Sequence, residues 1–209
     1  MKVDFELEKV RLFNCDCMAF MAEIPDNYYE LAIVDPPYRD SVDNQPTLDM
    51  RRNGSMKNFG DKPDSRFFDE LFRISKNQII WGANNFVLPI HKGFVVWRKK
   101  TISENFTMSM AEIAYLSEGL STVSKVFELQ PQDKLRIHPT QKPIQLYKWL
   151  LSKYAKPNDK IFDSHGGSFS SACACLDMGF EFDGCELDKE YFDSAVDRVR
   201  NHSQLYLDI

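Results

Sequence analysis

The stretch that decides the fold reads Leu31-Ala32-Ile33-Val34-Asp35-Pro36-Pro37-Tyr38. Its first four residues are apolar, as in a buried parallel strand. The two prolines cannot donate to a strand ladder, so we expect the strand to end at Asp35. In open α/β sheets, ligands bind at the carboxyl ends of strands. The sequence therefore predicts that Asp35 and Tyr38 lie at the rim of a binding pocket.

The acid, the prolines and the tyrosine together suit one chemistry. The exocyclic amine of adenine is a poor nucleophile because its lone pair is conjugated with the ring. The Asp35 carboxylate and a carbonyl of the rigid Pro36-Pro37 segment can accept its two N–H groups and favour a tetrahedral, attacking nitrogen. Tyr38 can stack on a base that has left the duplex. The alternative for so short a motif is a structural turn that exposes an acid.

Composition describes an ordinary soluble domain. The chain has 209 residues, which suffice for one domain with a substantial core. Hydrophobic residues make up 43% and charged residues 27%, as in globular proteins. No apolar run approaches membrane length, and the first residues do not resemble a signal peptide. We therefore expect a single cytoplasmic domain over residues 1–209 that does not associate with membranes.

The cysteines favour buried thiols over a disulfide framework or a metal site. Their number, 5, is odd, which argues against a set of disulfides. Cys15/Cys17 and Cys173/Cys175 form two C-x-C pairs that invite a zinc interpretation. Cys173 and Cys175, however, fall on a predicted helix, where residues two apart point to different faces. We expect no metal.

The charge pattern leaves two interpretations open. The net charge of -5 does not by itself indicate a nucleic-acid-binding protein. Compact basic spots nevertheless occur, and they could line a basic groove or form solvated surfaces. The candidate DNA-binding residues are Arg39, Arg51, Arg52, Lys57, Arg98, Lys99 and Lys100.

A long segment of low apolar periodicity follows the central motif. Residues 39–61 are dominated by Asp, Asn, Gly, Pro and Arg. A segment this long inside a domain is usually a functional lid or a disordered insertion. Because it leaves directly from Tyr38, we expect a mobile loop that closes over the substrate.

Strand and helix signals alternate along the chain and predict an α/β fold with a mostly parallel, twisted sheet and helices on both faces. Asp16 is the expected cap of the first helix, and Asp64 or Ser65 that of the second. The predicted strands are 10–14, 31–34, 77–81, 93–97, 111–116, 123–129, 160–163 and 180–186. The helix after Pro143 is predicted to bury Leu146, Trp149, Leu150 and Tyr154, and the last helix to span 188–201.

The strand that ends at Asp163 begins a nucleotide-binding unit. Gly166 and Gly167 in the following turn let a ligand approach the backbone, and the next helix offers free N–H groups. Glu186 ends the next strand, where an acid binds ribose hydroxyls in dinucleotide folds. Because G-x-G-x-x-G is absent, nicotinamide and flavin are disfavoured. S-adenosylmethionine fits better, since it has ribose hydroxyls and a polar amino-acid end.

Three motifs, in this order, resemble a known family. They are D-P-P-Y at 35–38, H-P-T-Q-K-P at 138–143 and D-S-H-G-G-S at 163–168. The family is the β-class of amino-methylating DNA methyltransferases, in which a circular permutation places the catalytic motif before the cofactor motif. Asn14-Cys15-Asp16-Cys17 is similar to the family's G-D-C segment. The resemblance spans nearly the whole chain and implies a Rossmann-like methyltransferase fold.

The resemblance also implies roles for the matching residues. Asp35 would bind the target amine, the Pro36-Pro37 segment would supply a carbonyl, and Tyr38 would stack on the base. The cofactor-binding residues would be Asp16, Asp35, Thr140, Gln141, Lys142, Asp163, His165, Gly166, Gly167, Ser168 and Glu186. Of these, Thr140 to Lys142 would bind the amino-acid end of the cofactor. His165 could stack on the ligand or pack within the turn, and packing is favoured.

The implied activity is direct transfer of a methyl group to adenine N6 in DNA, without a covalent enzyme intermediate. Aspartate favours adenine because cytosine-N4 members more often carry serine in that position. A restriction-modification system, a phage or an orphan bacterial gene is the expected source. The alternatives are cytosine-N4, RNA or protein-glutamine methylation, and a catalytically weak regulator that binds S-adenosylmethionine.

Two features depart from the family pattern. In the cofactor turn, Ser164 replaces a proline, His165 an aromatic residue and Phe169 a glycine, so we expect a reshaped pocket wall. Only residues 99–137 are available for target recognition, which is short. Sequence recognition must then depend on a few loops, on a partner or on a second copy of the chain in a homodimer.

Overall fold

The computed structural model describes residues 1–37, 62–106, 109–131 and 136–207. Of these, residues 205–207 are described by their backbone only. The strands of this part are β1 (Phe5–Leu7), β2 (Val10–Asn14), β3 (Leu31–Val34), β4 (Gln78–Trp81), β5 (Phe94–Arg98), β6 (Ala111–Leu116), β7 (Lys125–Glu128), β8 (Lys160–Asp163) and β9 (Glu181–Glu186). Its α-helices are α1 (Cys17–Ala22), α2 (Ser65–Ile74), α3 (Ile144–Tyr154), α4 (Ser170–Met178) and α5 (Lys189–Leu207). None of these helices is long and apolar enough to cross a membrane.

The strands form one sheet in the order β1-β2-β9-β8-β3-β4-β6-β5-β7. The five strands β2, β9, β8, β3 and β4 run parallel. On one side, β1 pairs antiparallel with β2; on the other, β6 is antiparallel to both β4 and β5. Chain order reverses between β8 and β3, and this reversal is where open α/β sheets bind ligands. The expected α/β fold with a mostly parallel sheet is confirmed.

The central strand β3 shows how the two faces are filled. Leu31 and Ile33 pack in a core with α3, α4 and α5, whereas Ala32 and Val34 pack in a second core with α1 and α2. All four are at most 1% exposed. Because both faces are covered by helices, the strand is a continuous apolar run. The prediction of helices on both faces is therefore correct.

Most element bounds agree with the sequence pattern, and the exceptions have simple causes. The edge strand β1 was not predicted because it is only 3 residues long. In α3, Tyr147 and Leu151 are buried, whereas Trp149 and Tyr154 are only partly buried. The buried residues of α3 are Leu146, Tyr147, Leu150 and Leu151, so its buried stripe is wider than a single row. Helix α5 continues to Leu207 rather than ending at 201.

The short region at 99–137 is not a separate insertion. It contributes β6 and β7, and both strands extend the common sheet. Beyond these strands, its described parts are the segments 99–106, 109–110, 117–124, 129–131 and 136–137. Target recognition by this region remains a prediction.

The five cysteines are free thiols, of which Cys173, Cys175 and Cys185 are buried. Cys173 and Cys175 lie on α4, as expected. Burial raises the pKa of the Cys173 thiol to about 11, so it stays protonated and unreactive.

Candidate active site

Acidic side chains meet where the parallel strands end. Asp35 directly follows β3, Asp163 ends β8, Glu186 ends β9, and Asp16 lies just after β2. Parallel neighbours end on the same edge of a sheet, so these acids share one rim. Asp35 and Asp163 stand on either side of the reversal between β3 and β8. The two motifs that are far apart in sequence thus form one crevice.

Asp35 is nearly buried, with 14% of its side chain exposed. Its Oδ2 accepts a hydrogen bond from Lys142 Nζ, while Oδ1 has no hydrogen-bond partner among the described residues. Burial raises the pKa of the Asp35 carboxyl, Lys142 opposes that rise, and Glu112 adds to it. Pro36 is buried and Pro37 is half-buried, which fixes the carboxylate. Tyr38 lies outside the described residues.

Lys142, one of the predicted cofactor-binding residues, is buried beside Asp35. Its ammonium lies between Asp35 and Glu112, 3.1 Å from Glu112 Oε2. The side chain runs inward over Trp81, with Nζ 5.5 Å from the ring centroid. Its backbone carbonyl accepts a hydrogen bond from Ser170 Oγ at 2.7 Å. The lysine of the H-P-T-Q-K-P motif is therefore an ion-pair partner of the acid in the D-P-P-Y motif.

Both carboxylate oxygens of Asp163 form hydrogen bonds within the cofactor turn. It is 1% exposed. Its Oδ2 accepts from Ser171 Oγ at 2.6 Å and its Oδ1 from the His165 amide at 3.1 Å. Burial raises the pKa of this carboxyl to about 7. With both oxygens engaged inside the turn, its direct role is to fix the loop on which a ligand would rest.

The two glycines of the turn are required by its geometry. Gly167 has a φ of +52°, and a Cβ there would lie 3.3 Å from His138 Nδ1. Its amide donates to Glu186 Oε2 at 2.8 Å. A Cβ on Gly166 would lie 2.0 Å from the Phe169 ring. The turn therefore presents bare backbone to the crevice, as a nucleoside pocket needs.

Phe169, one of three residues that led to the expectation of a reshaped pocket wall, packs in the core beneath the turn. It adopts a φ of 50°, which a glycine would adopt more easily, yet it is 0% exposed. Its ring turns away from the crevice and packs edge-on against Phe182 and Phe192. The space comes from Gly166 and Gly184, since a Cβ on either would collide with this ring. Phe169 is therefore part of the hydrophobic core beneath the turn.

Glu186 lies beside the glycine turn at the end of β9. Its Oε2 accepts from the Gly167 amide, and its Oε1 accepts from the Asp188 amide, each at 2.8 Å. Burial raises the pKa of this carboxyl above its ordinary value. Each carboxylate oxygen can accept a second hydrogen bond. Glu186 is thus able to hold the turn and accept from ribose hydroxyls at once.

Three further residues predicted to bind the cofactor, His165, Ser168 and Asp16, make contacts within the protein. His165 packs edge-on against Phe67 of α2, with ring centroids 5.3 Å apart, and burial lowers its pKa to about 4. The favoured packing interpretation agrees with this contact. Ser168 is buried, with its Oγ 3.3 Å from Ser170 Oγ. Asp16 caps α1 by accepting from the Ala19 amide at 2.9 Å.

The H-P-T-Q-K-P segment folds over the glycine turn through His138, which the sequence interpretation did not single out. His138 packs edge-on against Tyr191 at 4.4 Å, and burial lowers its pKa to about 4. Thr140 is exposed and its Oγ1 lies 3.1 Å from His138 Nδ1. Gln141 is buried and accepts from the Ile137 amide at 3.2 Å, so its side chain is used inside the segment.

The basic spot at 98–100 is split between surface and interior. Lys99 is buried, with its Nζ 2.6 Å from Glu112 Oε1, and therefore cannot contact DNA from this position. Arg98 and Lys100 are exposed, but both face Glu128, at 2.9 and 3.7 Å. The expectation of three exposed cations is corrected to two. The other candidates, Arg39, Arg51, Arg52 and Lys57, lie outside the described residues.

Glu112 is the site residue that sequence reasoning missed. It lies on β6 in the pattern A-E-I-A-Y-L, two residues before the buried Ala114. Its inward direction follows from that alternation, and an acid in an inward position needs partners. Burial opposes its charge, but Lys142 and Lys99 together lower its pKa to about 2. The signal was therefore present, although its partners were not predictable.

Comparison with known families gives the class of this protein. The DNA methylase family model matches residues 61–197, which is more than half of the chain. The chain belongs to this N4/N6 family of DNA methyltransferases. The matched stretch contains the H-P-T-Q-K-P and D-S-H-G-G-S motifs and begins after D-P-P-Y.

Individual relatives extend the similarity over most of the chain. "Putative methylase YubD" of Escherichia coli K12 is 25% identical over 211 residues, covering 90% of this chain and 89% of the relative. The M1.HpyAVI–SAM complex superposes with a TM-score of 0.57 at 21% identity, over 90% of this chain and 99% of that chain. The cytosine-N4-specific PvuII DNA methyltransferase gives a TM-score of 0.63 at 10% identity, over 93% and 91%. These structural likenesses show a shared fold.

The family uses S-adenosylmethionine as methyl donor, and one of these related structures contains it. The cofactor expected from the sequence is therefore confirmed at the level of the family.

Proposed function

We propose that this DNA methyltransferase modifies the exocyclic N6 amine of adenine. The observation that carries the proposal is the state of the Asp35 carboxylate. One oxygen is held by Lys142, and the other, Oδ1, is buried without a hydrogen-bond partner among the described residues. An unpaired buried acceptor is costly, and a donor N–H from a substrate relieves that cost.

The crevice offers what the methyl donor requires. The turn at Gly166 and Gly167 exposes backbone, and Glu186 presents oxygens beside it. We assign Glu186 to the ribose hydroxyls and the glycine turn to the face of the nucleoside. When bound there, S-adenosylmethionine supplies an electrophilic methyl group on a sulfonium.

Asp35 acts on the amine in this proposal. Its Oδ1 accepts one N–H of the flipped base, and the rigid Pro36 carbonyl accepts the other. The nitrogen lone pair is thereby withdrawn from ring conjugation and forms the new N–C bond as the C–S bond breaks. The nitrogen then carries one proton too many. Asp35 is suited to receive that proton, because burial raises the pKa of its carboxyl.

The same geometry accommodates the exocyclic N4 amine of cytosine, and the likeness to a cytosine-N4-specific enzyme makes that the second candidate. Aspartate at the first position of the motif favours adenine. We therefore treat cytosine as the competing outcome of the same experiment.

The deciding experiment is methyl transfer from labelled S-adenosylmethionine to mixed-sequence DNA, followed by digestion and separation of the nucleosides. The expected product is N6-methyladenine. N4-methylcytosine as the labelled product would overturn the adenine assignment while leaving the class of reaction intact. Parallel reactions with RNA and with glutamine-containing peptide test the other substrates, and label in either alone would overturn DNA as the substrate.

A further inference from the structure

Four buried or nearly buried charges alternate in sign behind the proposed catalytic carboxylate. Lys142 Nζ bonds Asp35 Oδ2 and lies 3.1 Å from Glu112 Oε2. Lys99 Nζ lies 2.6 Å from Glu112 Oε1. The side chains of these residues are at most 17% exposed. Two cations and two anions thus form a neutral chain that ends at the atom proposed to face the substrate.

The sheet brings these residues together from distant parts of the sequence. Glu112 pairs with Trp97 across β6 and β5, and Lys99 follows β5 directly. Because β6 is antiparallel to β4, its first residues lie at the edge where the parallel strands end. Lys142 reaches the same edge from the segment before α3. Trp81 and Trp97 lie beneath the two ammonium groups, 5.5 and 5.2 Å from them.

Each member of the chain constrains the next. Among the described residues, the carboxylates paired with Lys142 are those of Asp35 and Glu112, so removal of Glu112 takes away a competing anion and allows the ammonium to bind both oxygens of Asp35. With Glu112 in place, the ammonium also forms an ion pair with Glu112, and its hydrogen bond to Asp35 goes to Oδ2. The oxygen left over is Oδ1, which has no partner among the described residues. Glu112 thus determines how much of the Asp35 carboxylate remains available.

We propose that Glu112 is a positioning residue for methyl transfer: it holds Lys142 on one oxygen of Asp35 so that the other oxygen faces the target amine. This inference rests on the proposed function, since it concerns the same site. Glu112 itself does not touch the amine or the methyl donor.

The charges around Asp35 predict the direction in which the pKa of its carboxyl should change in each variant. Within the described part of the chain, the groups besides Lys142 that face Asp35 are Glu112 on β6, Lys99 after β5, Asp163 on β8 and Tyr147 on α3. The charge of Glu112 raises the pKa of Asp35, whereas the charges of Lys142 and Lys99 lower it. Removal of Glu112 and removal of Lys99 should therefore move the titration of Asp35 in opposite directions.

The test uses Glu112→Gln and Lys99→Met in the full chain, with Asp177→Asn as the matched control. Asp177 is also a buried acid, held by Lys148 and His202, but it lies on α4 away from the crevice. The readouts are the single-turnover rate as a function of pH, the affinity for S-adenosylmethionine, and the pKa of the Asp35 carboxyl by carbon-13 NMR.

For Glu112→Gln, the plateau rate should fall about ten- to a hundredfold, the scale for a misplaced reacting group. The acid limb of its pH–rate profile and the pKa of Asp35 should both move down by about one unit. Its affinity for S-adenosylmethionine should stay within a few-fold of that of the unaltered protein. In Lys99→Met, the limb should move up. Asp177→Asn should move neither, because a loss of stability alone does not shift this titration.

The inference is overturned if folded Glu112→Gln keeps both rate and acid limb, or if it loses cofactor affinity while the limb stays in place. Should Glu112→Gln fail to fold, an unshifted limb in Lys99→Met overturns it equally. The NMR titration needs no substrate. If the unaltered protein does not methylate DNA but the Asp35 pKa still moves as described, the proposed function fails and the positioning of the carboxylate stands.

Discussion

The two sides of the crevice hold their acids in opposite ways. On the cofactor side, Asp163 and Glu186 have both oxygens engaged by groups within twenty residues in sequence, mostly backbone amides. On the amine side, Asp35 is held by Lys142, 107 residues further along the chain, and one of its oxygens has no partner among the described residues. The acids of the cofactor side are hydrogen-bonded within the turn, whereas Asp35 keeps one carboxylate oxygen available for a ligand.

This difference separates shape from reactivity. Hydrogen bonds between neighbours in sequence fix the turn, so the cofactor side is pre-formed. The main role of its acids is to hold that turn. A buried ion pair with an unsatisfied oxygen is costly in free energy and therefore keeps a strong preference for an incoming donor. We expect substitutions on the amine side to affect rate, and those on the cofactor side to affect affinity or stability.

The largest expected effect is that of Asp35→Asn on rate. The amide keeps the size of the side chain but loses the charge, so it cannot accept the proton that leaves the amine. Methyl transfer should fall by about 10²–10⁴-fold, the range for a lost general base. Affinity for S-adenosylmethionine, measured by calorimetry, should stay within a few-fold.

Glu30→Gln is the matched control for this experiment, because Glu30 precedes the other end of the same strand. Its variant should retain the normal rate. A folded Asp35→Asn protein that has lost cofactor binding would mean that Asp35 belongs to the cofactor side, and the comparison between the two sides would fail.

Phe169→Gly should give the next largest effect, on stability. Glycine relieves the left-handed backbone at this residue by about 1–2 kcal/mol. Removal of a buried phenylalanine ring costs about 3–5 kcal/mol. The net loss in free energy of unfolding, measured by chemical denaturation, should therefore be roughly 1–4 kcal/mol. Cofactor affinity at low temperature should change little, because the ring faces the core.

A second variant sharpens this prediction. Gly166→Ala alone should be disruptive, since its Cβ would lie 2.0 Å from the Phe169 ring. In the Phe169→Gly background, the same change should add little further loss, because the ring is gone. Additive losses in the double variant would show that Gly166 is needed for a reason other than this contact.

The cofactor side was more predictable from sequence than the amine side, and the reason is physical. The turn at 163–168 is built from neighbours in sequence, and its glycines are required by backbone geometry. Alternation and apolar runs likewise located β3 and most other strands. The network behind Asp35, in contrast, joins Lys99, Glu112 and Lys142 through strand register. One sequence does not reveal register, so Lys99 was expected at the surface and Glu112 was not noticed.

Phe169 shows a second limit of sequence reasoning. A phenylalanine in place of a turn glycine suggests a blocked or reshaped pocket. The direction of its ring depends on space left by Gly184 on another strand, which the local motif does not contain. The consequence of a substitution in a motif thus depends on contacts outside it.

Glu186→Ala tests the cofactor side with an intermediate effect. One hydrogen bond to a charged acceptor is worth about 1.5–3 kcal/mol, so affinity for S-adenosylmethionine should fall roughly ten- to a hundredfold. The maximal rate at saturating cofactor should fall far less. Glu181→Ala at the other end of β9 is the matched control and should bind normally. Unchanged affinity in Glu186→Ala would place the ribose elsewhere.

The smallest expected effect is that of removing the exposed cations on the amine side. Arg98 and Lys100 share one counter-charge, Glu128, so the group of three carries only one net positive charge. Each phosphate contact contributes about 0.9 to the slope of log affinity against log salt, so the double variant Arg98→Ala/Lys100→Ala should reduce that slope by about one at most. Exposed ion pairs themselves contribute little free energy, and DNA affinity should therefore fall only a few-fold.

Glu128→Gln is the informative counterpart, because it leaves both cations without their carboxylate partner and should strengthen binding if this surface faces DNA. A steep loss of affinity in the double variant would make this spot the main phosphate contact. No change in either variant would leave phosphate binding to cations elsewhere on the chain and would confine the role of the amine side to the base itself.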